Sequence, residues 1–332
     1  MPTTAAKPKS LHESALVVDS LMVCNWSPQI LRNIHSGGVT AVSATCAVWE
    51  NFRETMDNIA EWYQWFDRHS DLIMPVRCTA DILEAKRTSR LGIILIFQNG
   101  APLEDRFEFV RTFKRLGVGS IQITYNNQNF IGSGCYESND TGLSDFGRMV
   151  IDEMNAVGIA VDLSHVGPKT TADAIAYSKK PVCFSHANPK ALKDHARNKD
   201  DDLIKALAKR GGYVGVNLFP MFMPDQVRDR LEGLIVMLDH LINLIGEDQV
   251  GVGTDMTEGY GPDFWRWITL VNGRGTTTLN VPLSEQRQVL AKTSDYHLIT
   301  RTLEQAGYKE SRIRKILGLN YIDFLKKAWN ES

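Results

Sequence analysis

The sequence has no CxxC pair, and its five cysteines (Cys24, Cys46, Cys78, Cys135, Cys183) are scattered and odd in number. That pattern fits reduced thiols in a cytoplasmic protein better than a disulfide framework. A surplus of one charge is lacking as well. Lys and Arg number 37 against 39 Asp and Glu, a net charge of −2, which gives no basic face for nucleic acid. No apolar run reaches the length of a membrane span. The opening "MPTTAAKPKSLHES" has no apolar core of the signal-peptide kind. No low-complexity stretch or linker divides the 332 residues. Residues 1–10 read as a flexible tail and 11–332 as one domain.

What is present is an ordinary globular composition, 43% apolar and 23% charged, arranged in a rhythm. Apolar, β-rich runs occur at 15–23, 39–48, 91–99, 118–126, 159–165, 181–186, 212–219 and 249–255. Helical patterns separate most of them. "TGLSDFGRMVIDEMNAVG" sets Leu143, Phe146, Val150, Ile151 and Met154 on one face and stops at Gly158. "DDLIKALAKRGG" runs from acidic to basic and ends in glycine, as a capped helix does. Eight strands alternating with helices give an α/β fold with a parallel sheet, and eight is the count of a (β/α)₈ TIM barrel. Residues 256–290 read as a long loop over one mouth, and the segment after them as closing helices.

In such a barrel the strands' C-terminal ends converge on one mouth. Those ends here are Gln98, Tyr125, His165, His186 and Asp255. The "SHVG" and "SHAN" repeats place two imidazoles on consecutive strands. With a carboxylate beside them they suit a borderline metal such as zinc. A single histidine at a strand end is usually structural; two in succession argue for a site. His12, His35, His69, His240 and His297 read as structural or surface residues, and the "FWRW" tryptophans as packing in a lid.

These residues also carry a resemblance. "GLSDFGRMVIDEMNAVGIAVDLSHVG", "PVCFSHANPKALKDHARNKDDDLIKALAKRGGYVGVN" and "DQVGVGTDMTEGYG" resemble the renal (membrane) dipeptidase family, peptidase family M19, collinearly to the closing "KILGLNYIDFL". The resemblance implies an amidohydrolase-type barrel with two bridged zinc ions, and a homodimer. It puts His165 and His186 on the histidine ligands of one zinc. It puts Asp255 on the carboxylate that binds the other and handles the proton. Arg197 falls on the arginine that pairs with the substrate carboxylate, a task that suits a guanidinium fork. Other positions depart from the pattern. Leu21 and Val23 stand where the family has a metal-binding histidine and aspartate, Gln98 where it has a bridging glutamate, and Tyr125 where a histidine polarises the substrate carbonyl.

The expectation is a divergent, dipeptidase-like, metal-dependent hydrolase acting on an amide or other C–N bond of a small carboxylate-bearing molecule. One divalent metal, zinc, would sit on His165 and His186 with Gln98 or Asp255 completing its shell, or no metal at all. Asp255 and Tyr125 would be catalytic; Arg197, Tyr125 and Asn126 would hold the substrate. Two other readings share the barrel: a lyase, isomerase or demethylation-linked enzyme acting on a small amino acid or betaine, and a non-catalytic barrel that binds a ligand.

Overall fold

The computed structural model describes residues 9–277 and 289–331. Residues 1–8 of the expected tail and 278–288 of the expected loop lie outside that description. Ser10, within the expected tail, is ordered as the cap of a short helix, Leu11–Ser14, with Glu13 completing a capping box.

Nine strands form one parallel sheet: β1 (Val18–Met22), β2 (Ala41–Ala47), β3 (Ile73–Pro75), β4 (Leu91–Phe97), β5 (Val118–Gln122), β6 (Ala160–Asp162), β7 (Cys183–Phe184), β8 (Tyr213–Val216) and β9 (Val250–Val252). Eight run in the order β1-β2-β4-β5-β6-β7-β8-β9, and these are the eight read from the sequence. The extra strand, β3, pairs only with the start of β4. Every pairing around the path is parallel, as short helical crossovers require.

The ring closes between β1 and the chain that follows β9. Met22 bridges Met256, Asp255 N–H donates to Leu21 O at 3.1 Å, and Val23 N–H donates to Met256 O at 3.0 Å. A side chain reinforces the seam. The fully buried Asp19 carboxylate accepts the Thr254 hydroxyl at 2.6 Å and the backbone N–H groups of Leu21 and Thr254.

One apolar layer lies between the sheet and its helices; a second fills the barrel interior. The helix Asn320–Ala328 and Trp329 plug the N-terminal end of the barrel. The Tyr321 ring packs 4.9 Å from that of Tyr213, and Trp329 Nε1 donates to Gly119 O at 2.8 Å. Leu21 belongs to this interior layer and is wholly buried. The described part of the expected mouth loop is structured. It holds a helix, Pro262–Ile268, and a hairpin of Leu270–Val271 with Arg274–Thr277. Among the described residues no helix is long and apolar enough to cross a membrane.

Candidate active site

The strand ends gather as the barrel rule requires. A cavity of about 70 Å³ opens at the C-terminal face, and its lining includes Val23, Tyr125, Asn126, His165 and Asp255. His165 and His186 face each other, Nε2 to Nε2, at 3.0 Å. Their other nitrogens are tied back. His165 Nδ1 donates to Asn126 Oδ1 at 2.7 Å. The Ser185 hydroxyl is turned toward the Asp162 carboxylate, so it accepts from His186 Nδ1 at 2.7 Å. Both imidazoles therefore carry their proton on Nδ1 and present a bare lone pair at Nε2. Burial holds both well below the usual histidine pKa, and the Arg197 charge pushes the same way.

Two neutral lone pairs at that separation repel unless an electrophile meets them. This donor set fits one metal ion, because hydrogen bonds at Nδ1 fix the tautomer a metal needs. The two histidines supply two of the ligands such an ion needs. Among the described residues no group of three His, Cys, Asp or Glu comes together as a metal site. Of the two residues expected to complete the shell, each has one side-chain atom held by a neighbour, Oδ2 of Asp255 and Nε2 of Gln98. Asp255 accepts from Asn217 Nδ2 at 3.0 Å. Gln98 donates to Thr45 Oγ1 at 3.0 Å and does not line the cavity. Val23 lines the cavity but offers only a hydrocarbon; Leu21 does not reach it.

Asp255 and Asn126 both adopt left-handed backbone, each with φ 58°. Asn and Asp tolerate that region better than other side chains, and such conformations collect at functional sites. Burial raises the Asp255 pKa to about 6, while the Arg197 charge and the Asn217 bond oppose the rise. The Tyr125 ring stacks on His165, centroids 4.1 Å apart, and meets Trp49 edge-on at 4.9 Å. Burial pushes its phenol pKa far up, so it remains a proton donor.

Arg197 is not where the resemblance leads one to look. It is 1% exposed, and two of its N–H donors go to protein carbonyls: Nη1 donates to Ser164 O at 2.5 Å and Nη2 to His186 O at 2.7 Å. Its Nε is buried without a partner. The guanidinium lies 5.6 Å from the Phe222 ring and does not line the cavity. In this structure Arg197 therefore acts as a brace between the two histidine-bearing strand ends. Lys199, which sequence reading passed over, does the same next door. Its buried ammonium donates to Val166 O at 2.7 Å, and burial lowers its pKa to about 7. Among the described residues neither cation has an ion-pair partner.

Asn217 was also missed. It follows β8, so the strand-end rule that picked the other residues would have found it. The Asp162–Ser164–Ser185 network behind His186 had no such signal. Elsewhere, His12 bonds Thr300 and Gly37, and His240 bonds Asp201, as structural histidines do. The "FWRW" segment is more than a lid's packing, since Phe264 and Trp265 line the mouth cavity.

The profile of the family described as membrane dipeptidase (peptidase family M19) matches residues 23–264. An uncharacterized dipeptidase of Schizosaccharomyces pombe is 31% identical over 284 residues, 83% of this chain and 62% of its own length. A dipeptidase of Clonostachys rogersoniana is 30% identical over 63% of this chain and 54% of its own. The chain thus spans less than two thirds of the length of these curated relatives. The crystal structure of an amidohydrolase from Pseudomonas aeruginosa superposes with a TM-score of 0.93 at 40% identity, covering 97% of this chain and 98% of that one. A metallopeptidase from Rhodobacter sphaeroides, crystallised with a phosphinate mimic of L-Ala-D-Ala, shares the fold at a TM-score of 0.76 and 18% identity, over 95% of this chain and 99% of its own.

Proposed function

The chain belongs to the membrane dipeptidase family, peptidase family M19, and from that premise we propose that it hydrolyses an amide or related C–N bond of a small molecule, using one metal ion and not two. The observation that carries this reading is the pair of bare Nε2 atoms 3.0 Å apart beside a cavity that Asp255 and Tyr125 also line.

A divalent metal, if bound, would be held by His165 and His186 and would supply a Lewis acid at the mouth. The chain's own groups do the rest. Asp255, ionised above about pH 6, takes a proton from the attacking water as its oxygen bonds to the carbonyl carbon. The C–N bond then breaks, and Asp255 returns that proton to the departing nitrogen. Tyr125 keeps its proton and donates a hydrogen bond to the oxygen that gains charge. Arg197 and Lys199 hold the histidine loops in place. The uncompensated charge of Arg197 makes this side of the mouth attractive to a substrate carboxylate.

Elemental analysis of the purified full-length chain tests the metal count. One zinc-class ion per chain is expected, lost on His165→Ala or His186→Ala. Two stoichiometric metals per chain would show that Val23 and Gln98 are no obstacle to a second ion and would overturn the one-metal reading.

A further inference from the structure

A second cavity, of about 230 Å³, lies beside the mouth and shares Val23 and Phe264 with it. Six aromatic residues line it, Trp26, Trp62, Trp65, Trp267, Tyr260 and Phe264, together with polar ones that include Asn25, Thr45 and Asn58. The aromatic residues come from four separate parts of the chain. Trp26 follows β1, Trp62 and Trp65 sit on the helix Phe52–Arg68, Tyr260 follows β9, and Phe264 and Trp267 sit on the helix Pro262–Ile268. The rings meet at steep angles. Trp62 is 5.3 Å from Trp26 at 60° and 4.9 Å from Trp65 at 74°. Trp26 is locked by its Nε1–H bond to Thr45 O at 2.9 Å.

Packing alone accounts for a tryptophan cluster, but not for the rest of this lining. Two carboxylates, Glu50 and Glu61, border the cavity, and no Lys or Arg does. Among the described residues neither carboxylate has an ion-pair partner. Glu50 is positioned by the Val48 N–H, which donates to Oε2 at 2.7 Å. Aromatic faces and carboxylates around an open volume form an environment for a cation whose charge is spread over methyl groups. The ring faces attract it electrostatically, and its methyls fill apolar space without demanding hydrogen bonds. A primary ammonium could bond to the same carboxylates, so the preference for a methylated one rests on the aromatic part of the lining. Val23 supplies the connection. A carboxylate or a bound ion at this position would separate the two cavities by charge; an isopropyl group leaves them joined by an apolar wall.

We propose that this cavity binds a methylated ammonium group, one end of a small molecule whose other end reaches the mouth. That the ligand is a substrate rests on the function proposed above; that the cavity binds the cation does not. The cationic end would lie among the rings while a carboxylate or amide meets the side braced by Arg197 and Lys199.

The test uses two probes of one shape, choline and its uncharged isostere 3,3-dimethylbutan-1-ol. Each is titrated against the full chain by tryptophan fluorescence and calorimetry. Choline should bind at least about tenfold more tightly than the isostere. Glu50→Gln keeps the acceptor for Val48 and removes the charge, so it should bring the two probes close together. Trp267→Leu should weaken choline by about tenfold, with the circular dichroism spectrum unchanged. Equal affinity for the two probes, or binding of neither, overturns the proposal. His165→Ala should still bind choline. A chain that binds choline in this way but turns over no amide would refute the hydrolase reading and leave the cation site standing.

Discussion

Asp255 sets the acid limb of any activity at this mouth. A carboxyl accepts a proton only when ionised, and burial has raised its pKa to about 6. Activity should therefore fall as pH drops through about 6 and level off above it. Asp255→Asn should remove the limb and cost roughly 10²–10⁴-fold in rate. Arg197 holds that pKa down, so Arg197→Met should move the limb to higher pH while also lowering kcat, because the histidine-bearing loops lose their brace. A limb that stays in place in Arg197→Met would mean that its charge does not reach Asp255. Tyr125, His165, His186 and Asp255 were legible because a barrel rule converts strand ends into one neighbourhood. The partners of Arg197 were not. They are backbone carbonyls, which every residue has, so no pattern of side chains marks them.

Among the elements, the long strands and the amphipathic helices could be read with little error. The helix Asp145–Val157 begins after its Ser144 cap and ends at Gly158 in left-handed backbone, with Val150, Ile151 and Met154 buried as the pattern requires. β3 escaped because three residues show no alternation. The helix Pro262–Ile268 was hidden in an aromatic stretch, although Gly261–Pro262 is a start signal. Glycines in β8 and in and just after β9 record how closely the chain is drawn in. A Cβ on Gly253 would lie 2.0 Å from Ser185 O and 2.7 Å from Ser20 Oγ. Gly253→Ala should destabilise by about 1–3 kcal/mol or more, visible as a lower denaturation midpoint in urea at unchanged slope. Because Ser185 holds His186, the same substitution should weaken metal retention. An alanine variant as stable and as metal-competent as the parent would mean the two strands can part freely.

At the scale of the molecule, the eightfold rhythm announced the barrel, but the way it closes was not written in any periodicity. β1 and β9 lie far apart in sequence, and their seam relies on the Asp19 carboxylate as well as on backbone bonds. Asp19→Asn replaces one of two acceptor oxygens by a donor facing the donors of Thr254. It should cost about 1–3 kcal/mol in thermal or denaturant unfolding. A neutral effect would place the strength of the seam in its main chain alone. The plug at the opposite end bears on how this protein is made. Asn320–Ala328 lies downstream of every strand, so a ribosome releases all the staves before the stopper. Until then the inner faces of Ile94, Ile96 and Tyr213 have no lid and stay wet. A nascent chain with all nine strands emerged is an open tube with greasy walls. It is the species that a holding chaperone would recognise, and the stage at which two such chains are most prone to stick.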